Sequence, residues 1–231
     1  MIDSKTLKDA FLKDVEIIIG YISMGMIFGI LLKASGFGGL WALFISVFVY
    51  SGVMQFLAIS FFGGSFGLLN IFITTLMLNS RQSIYTLIML PKYKKMGFKG
   101  ILNTFWLTDE TFAIIQTKSP NKDSNPDLFV FFISLFNYLA WIFGCVFGTF
   151  INDIFKFNKD GLEFIMPAIF IVIFLEQYKS AKEHITTIIG IFVSIFFLLT
   201  IGEKYFLIVS IITCILIFTI FRKKLESKMK E

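Results

Sequence analysis

Four long stretches of this chain contain no charged side chain. They are Leu40–Phe62, Leu128–Ile151, Ile185–Ile201 and Tyr205–Phe221, and a fifth stretch, Val15–Leu32, holds only Glu16 near its edge. About 17 to 20 apolar residues are enough for a helix to cross a bilayer. A soluble core cannot use so much apolar side chain, and 56% of the 231 residues are hydrophobic. The sequence therefore predicts an all-α, polytopic bundle in contact with the lipid bilayer.

Three further apolar segments are interrupted by charges or proline. Phe66–Leu90 contains Arg81, Ile101–Thr117 contains two acidic residues, and Leu162–Tyr178 contains a proline. If all eight segments cross from a cytoplasmic N-terminus, Lys and Arg outside the spans number 12 inside and 8 outside. If the first two interrupted segments each return to the face they came from, the balance becomes 16 to 4. The excess of basic residues on the cytoplasmic side favours six full spans plus two broken or re-entrant segments, with both termini cytoplasmic.

A weak internal repeat favours the other arrangement. Gly25-Met26-Ile27-Phe28-Gly29 resembles Gly144-Cys145-Val146-Phe147-Gly148, which lies 119 residues later. If the repeat is genuine, the single membrane domain 1–231 consists of halves near 15–118 and 128–221, with the site at their interface. Equal halves fit eight crossings better. Chance similarity in a Gly- and Phe-rich chain explains the same observation, so both arrangements stay open.

Arg81 is the candidate centre of the functional site. The chain has two arginines, Arg81 and Arg222, against nineteen lysines. Use of Arg at an intramembrane position indicates that its planar, permanently charged guanidinium is needed. If the segment is helical, Asn79 and Gln82 belong to a polar stripe with Thr75 and Thr86. If the backbone instead unwinds at 79–81, freed peptide groups would line a cavity.

Asp109 and Glu110 are the expected partners of Arg81, because a buried charge is costly unless it is paired. Adjacent residues on a helix point about 100° apart, so one carboxylate should pair with the arginine and the other should carry a proton. The shorter Asp109 is the expected partner, and Glu110 the expected, more desolvated, proton carrier. The remaining candidates for a substrate or proton path are Gly52, Gln55 and Pro167.

Other classes of site are not indicated. Cys145 and Cys214 lie far apart in apolar segments, and the one histidine, His184, lies in a polar loop, so neither a metal site nor a cofactor is predicted. There is no phosphate-binding G-x-x-x-x-G-K-[ST] loop. The net charge of +5 comes from lysines in loops and tails and does not predict nucleic-acid binding. Besides a path for a substrate or a proton, two other functions stay open for these residues. One is an intramembrane enzyme using Asp109 and Glu110, and the other is a non-transporting assembly or receptor subunit.

Several short motifs together resemble the AzlC family, the large subunit of two-component exporters of branched-chain amino acids. They are Phe28-Gly29, Tyr50-Ser51-Gly52-Val53-Met54-Gln55-Phe56, Leu78-Asn79-Ser80-Arg81-Gln82, Thr108-Asp109-Glu110-Thr111-Phe112 and Pro167-Ala168-Ile169-Phe170. The resemblance implies an inner-membrane secondary transporter for leucine, isoleucine, valine and methionine or analogues. It also implies a separately encoded small membrane partner of the AzlD type. The family often has histidine after the arginine, where this chain has Gln82, so the resemblance leaves proton coupling unsettled.

Overall fold

The computed structural model describes residues 3–63, 67–155, 184–202 and 206–221, and six single residues between 168 and 179. All regular structure in this part of the chain is α-helical, as predicted. The helices are α1 (Ser4–Ala34), α2 (Gly39–Phe48), α3 (Gly52–Gly63), α4 (Leu68–Lys95), α5 (Phe98–Phe105), α6 (Asp109–Thr117), α7 (Pro126–Phe155), α8 (Ile185–Ile201) and α9 (Phe206–Ile220). They belong to two compact units, Met1–Leu162 and Glu163–Glu231.

Helices α1 and α7 are the two longest described helices of the first unit. Of the described helices, these two are both long and apolar enough to cross a membrane. They run parallel: Phe11 packs edge-on against Phe136 with ring centroids 5.7 Å apart, and at the other end Lys33 Nζ lies 2.9 Å from Asp153 Oδ1. At about 1.5 Å per residue, each is roughly 45 Å long, which exceeds the hydrocarbon thickness of a bilayer.

The two similar glycine motifs pack directly against each other. A Cβ atom on Gly25 would lie 2.9 Å from the backbone nitrogen of Cys145, and one on Gly144 would lie 3.1 Å from the Cα of Gly25. One turn later, Gly29 and Gly148 meet in the same way. Small residues four apart let helix backbones approach closely in membranes. Helix packing alone therefore accounts for the motif similarity, and the internal repeat, whose second half includes undescribed residues between 156 and 183, stays a prediction.

Helices α2 and α3 form a hairpin that we call the first hairpin. Phe37, just before α2, lies with its ring centroid 4.8 Å from that of Phe62, near the end of α3. Two collinear helices of this length would place these rings more than 30 Å apart. The chain reverses at residues 49–51, the first tip, where Tyr50 has a φ of 37°. The prediction that Leu40–Phe62 is a full span is therefore wrong. The reversal occupies three residues and contains no proline, so the apolar pattern of the sequence still resembles that of a full span.

Helix α4 runs unbroken through Arg81 for 28 residues, about 40 Å. A continuous helix cannot return to its starting face, so the predicted re-entrant path for Phe66–Leu90 is wrong, as is unwinding at 79–81. An ion pair to the guanidinium, described below, removes the need for freed backbone groups. In the structure Leu40–Phe62 is the segment that reverses and Phe66–Leu90 is the continuous one. No Lys or Arg lies between residues 34 and 80, so this exchange leaves the predicted count of basic residues at 16 inside and 4 outside.

Helices α5 and α6 form the second hairpin, with residues 106–108 as the second tip. Asn103 of α5 donates to Met96 Sδ at 3.7 Å, and Gln116 of α6 donates to Met89 Sδ at 3.4 Å. Both contacts lie at the C-terminal end of α4, so the segment leaves this end and returns to it. The segment therefore turns back at 106–108, as a re-entrant segment would, and its return to the same membrane face stays a prediction. Thr108 caps α6 by accepting from the backbone N–H of Thr111 at 3.2 Å.

One apolar cluster joins three helix ends. It contains Ala10 of α1, Tyr93 of α4 and Phe129 of α7, each at most 3% exposed. The loop after α6 lies at the same end, because Lys13 Nζ donates to the carbonyl oxygen of Ser119 at 2.7 Å. The start of α1 and the Pro91–Lys99 loop therefore lie at the same end of the first unit, as the lysine count requires. Which membrane face this end occupies stays a prediction.

The second unit contributes α8 and α9. Both are apolar, and Gly202, with a φ of 80°, ends α8. Large apolar side chains of α8 such as Phe192 and Leu199 are exposed, which suits a lipid-facing helix. Pro167, the predicted site residue of this unit, lies outside the described residues.

Candidate functional site

The tips of the two hairpins, which enter from opposite ends of the first unit, meet in its middle. The ring of Tyr50 at the first tip lies 6.4 Å from that of Phe105, which precedes the second tip. Tyr138 of α7 packs between the hairpins, 4.9 Å from Tyr50 and stacked at 5.0 Å on Trp106. Its hydroxyl group donates to the carbonyl oxygen of Val47 at 3.0 Å. Two interrupted segments thus place backbone and polar groups at one level of the bundle.

Arg81 and Asp109 form an ion pair at this junction. Asp109 is the first residue of α6, so the positive end of the helix dipole also favours its negative charge. The Arg81 side chain is 34% exposed and that of Asp109 is 25% exposed. Asp109 Oδ1 is buried and has no hydrogen-bond partner among the described residues. The structure therefore pairs Arg81 with Asp109, as expected, and the hydroxyl group of Tyr85 also interacts with the same carboxylate.

An aromatic contact fixes α6 against α4 one turn from the ion pair. The rings of Tyr85 and Phe112 are stacked, with centroids 4.6 Å apart and an interplanar angle of 13°. Tyr85 lies four residues after Arg81, on the same face of α4. The stacking therefore limits movement of Asp109 relative to Arg81.

Glu110 points to α1 instead. The hydroxyl group of Tyr21 donates to Glu110 Oε2 at 2.7 Å and lies 2.6 Å from Thr108 Oγ1. Glu110 is an exposed residue, whereas Asp109 is partly buried. The expectation that Glu110 is the more desolvated carboxylate is therefore wrong. Its position one residue further along α6 turns it by about 100°, away from α4 and into the open part of the site.

Gly52 and Gln55, predicted from sequence, meet on Trp141 of α7. The Trp141 indole N–H donates to Gln55 Oε1 at 2.6 Å, and a Cβ atom on Gly52 would lie 3.3 Å from Trp141 Cη2. Trp141 also packs edge-on against Tyr21, with ring centroids 5.7 Å apart. The indole therefore connects the first hairpin to the side chain that holds Glu110.

The remaining predicted residues lie around α4. Asn79 Oδ1 accepts from the hydroxyl group of Ser51 at the first tip, at 2.8 Å. Gln82 is half-buried. Because α4 is helical, its spacing places Gln82 near the face of Asn79, while Arg81 leaves the helix about 160° away from Asn79. Asn79 thus contacts the tip of the first hairpin, and Arg81 contacts Asp109 beside the tip of the second hairpin.

Several residues of the site were not predicted, among them Tyr21, Asn137 and Trp141. Asn137 is fully buried and donates to Thr111 Oγ1 at 3.1 Å. Asn137 and Trp141 are four residues apart in the charge-free segment Leu128–Ile151, and so share one helix face. That spacing of an amide and an indole in an apolar span was the available signal. Tyr21 had no comparable signal, because its role depends on the approach of α6.

The helices and this site define a helical membrane protein in which a partly exposed ion pair lies where two helical hairpins meet. Within the described residues, no cluster of His, Cys, Asp and Glu could hold a metal ion. The chain belongs to the AzlC protein family, whose model matches residues 16–155.

Relatives of known sequence extend the similarity over nearly the whole chain. An uncharacterized membrane protein of Helicobacter pylori strain J99 is 40% identical over 96% of this chain and 97% of its own length. The branched-chain amino acid transport protein AzlC of Bacillus subtilis is 33% identical over 95% of this chain and 86% of its own. An uncharacterized membrane protein of Haemophilus influenzae is 32% identical over 98% and 93%. No solved structure matches the chain.

Proposed function

We propose that this protein is a secondary transporter of the inner membrane that exports leucine, isoleucine, valine, and methionine or close analogues, in exchange for protons. It works with a small membrane subunit of the AzlD type, and both of its termini are cytoplasmic. Membership of the AzlC family and the name of the Bacillus relative support amino-acid transport. The export direction, proton coupling, partner and topology are parts of the proposal.

The observation that carries the proposal is the partly exposed Arg81–Asp109 pair at the junction of the two tips. A free amino acid is a zwitterion and so requires one cationic and one anionic group a few ångströms apart. The guanidinium of Arg81 can bind its carboxylate through two parallel N–H bonds. Asp109 Oδ1, which has no well-aligned partner among the described residues, and the exposed carboxylate of Glu110 can accept from its ammonium group.

The exposure of these charges also supports a substrate path. An ionised side chain facing lipid tails costs about 2.5 kcal/mol or more, so such groups normally face water-filled cavities. The apolar side chain of the substrate would lie against Phe112 and Tyr85, whose stacked rings lie beside Asp109. Aromatic walls accept branched aliphatic chains without selecting one of them strongly.

Efflux of labelled amino acids tests the proposal. Cells expressing this chain with its AzlD-type partner are loaded with labelled valine, leucine, isoleucine or methionine, and loss of label is compared with cells expressing either protein alone. We expect faster efflux of the branched-chain substrates only when both are present. Lysine, whose side chain is charged, is the matched control substrate and should be retained. Equal retention of all labels with normal amounts of both proteins in the membrane would favour a non-transporting subunit.

A further inference from the structure

Asp14 of α1 is a fully buried carboxylate that plays no part in the site described above. Its exposed fraction is 0%, and neither of its oxygens makes a well-aligned hydrogen bond to a described residue, although the Asn137 amide lies close enough to interact with it. Its neighbour Asp9 is different: Asp9 pairs with Lys13 at 2.9 Å and accepts from the backbone N–H of Asn121 at 2.8 Å. Asp9 therefore fastens the loop after α6 to α1, whereas Asp14 has no comparable structural partner.

The surroundings of Asp14 are neutral and poor in donors. Asn137 of α7 is its polar neighbour, and Oδ1 of Asn137 is also buried without a partner. Tyr50 of the first tip is close enough to interact with it electrostatically, and the buried hydroxyl group of Tyr50 has no hydrogen-bond partner among the described residues either. No ion pair joins Asp14 to a lysine or arginine in the described part of the chain.

A protonated Asp14 fits this environment better than an ionised one. Burying a carboxylate without a cation or donors is very costly, and such groups normally become neutral. A proton on Asp14 removes the charge. It also supplies an O–H donor to a place where the oxygens of Asp14 and Asn137 both lack one.

Asn137 connects Asp14 to the substrate site. Its Nδ2 donates to Thr111 Oγ1 at 3.1 Å, and Thr111 Oγ1 lies 2.9 Å from Thr108 Oγ1. Tyr21 then joins Thr108 to Glu110, at 2.6 and 2.7 Å. A continuous series of hydrogen bonds therefore runs between α7, α6 and α1 from Asn137 to Glu110.

We propose that Asp14 is the group that binds and releases the transported proton, and that Asn137, Thr111, Thr108 and Tyr21 transmit its protonation state to Glu110. This inference rests on proton-coupled export as proposed above. Proton uptake forms one O–H bond on an Asp14 oxygen and converts hydronium to water; release reverses it, with no change in redox state. Ionised Asp14 attracts the amide N–H groups of Asn137 away from Thr111, which loosens the support of Tyr21 and Glu110.

Transport in inverted membrane vesicles tests the inference. Vesicles containing this chain and its AzlD-type partner are assayed for leucine uptake driven by a pH gradient and for leucine exchange without a gradient. We expect Asp14→Asn to lose the gradient-driven uptake while exchange falls much less. Glu16→Gln, which removes an exposed carboxylate two residues away on the same helix, is the matched control and should retain both activities.

The outcomes separate this inference from the proposed function. Absence of leucine exchange and uptake in the wild type would refute the proposed function. Exchange in the wild type with unchanged gradient dependence in Asp14→Asn, or equal loss of both activities at normal protein level, would overturn the role of Asp14. If Asp14→Asn fails to accumulate, infrared spectra of the purified protein decide instead. We expect a protonated-carboxyl band that Asp14→Glu shifts and Glu16→Gln does not, and its absence would overturn the inference.

Discussion

Trp141 and Gln55 are joined by a 2.6 Å hydrogen bond between the indole N–H and Oε1, in a position where Gln55 is fully buried and Trp141 is 6% exposed. The bond attaches the first hairpin to α7, next to the tip that reaches the site. Because Gln55 Nε2 has no partner in the described part of the chain, the amide also keeps one donor free.

Gln55→Leu is expected to destabilise the protein, because it leaves the Trp141 N–H buried without an acceptor. The cost of such a group is about 1–3 kcal/mol. In the double variant Gln55→Leu/Trp141→Phe both polar groups are absent, and part of the stability should return. Thermal unfolding of the purified protein in detergent measures both effects. If Trp141→Phe lowers the melting temperature of the Gln55→Leu variant as much as it lowers that of the wild type, the two residues act independently.

Arg81→Lys is expected to abolish most transport and leave the amount of membrane-inserted protein unchanged. Lysine keeps the positive charge but cannot form two parallel hydrogen bonds with a carboxylate. Arg222→Lys makes the same exchange at the only other arginine in the sequence and should transport normally. Near-normal efflux by Arg81→Lys would show that charge alone suffices at this position.

Asp109→Asn is expected to lower the amount of folded protein, in contrast to Arg81→Lys. It leaves the guanidinium without its anionic partner, and breaking a buried pair costs about 3–5 kcal/mol, which partial exposure reduces here. The matched variant Glu110→Gln alters the exposed neighbour and should accumulate normally. Fluorescence-detected size-exclusion chromatography compares the two. Equal accumulation of both variants would contradict a stabilising role for the ion pair.

Gly29→Ala is expected to destabilise the pairing of α1 with α7. Its Cβ atom would lie 3.0 Å from the Cα of Gly148, and overpacking of this kind costs about 1–3 kcal/mol. Gly20→Ala, on the same helix, is the control, because a Cβ atom there meets nothing within 4 Å. That change should be neutral or slightly stabilising. Equal melting temperatures for the two variants would contradict the close approach of the helices.

Cysteine labelling tests the topology. In a chain without Cys145 and Cys214, Lys94→Cys should react with an impermeant thiol reagent only after the membrane is permeabilised. Ser35→Cys, at the opposite end of α1, should react in intact cells. Both positions are exposed in the structure. Labelling of Lys94→Cys in intact cells would place the Pro91–Lys99 loop outside and contradict the 16-to-4 distribution of basic residues.

The sequence by itself determined the class of the protein, its helical content and the pairing of Arg81 with Asp109. Charge-free stretches of span length require helices in a bilayer, because only helices satisfy all their backbone groups internally there. The cost of isolated intramembrane charge likewise made Asp109 and Glu110 the expected partners of Arg81, and the short side chain favoured Asp109. These conclusions depend on residue type and local spacing, which can be read without knowing the fold.

Only the tertiary structure decided which segments turn back and which carboxylates are desolvated. Leu40–Phe62 has the composition of a span, yet it reverses at Tyr50, because the hairpin tip is supported by Tyr138 and by contacts from other helices. Asp14 and Glu110 look alike in sequence, but the packing of α1 against α7 buries one, and the turn at the start of α6 exposes the other. Burial depends on which surfaces meet, and residues far apart in sequence provide those surfaces.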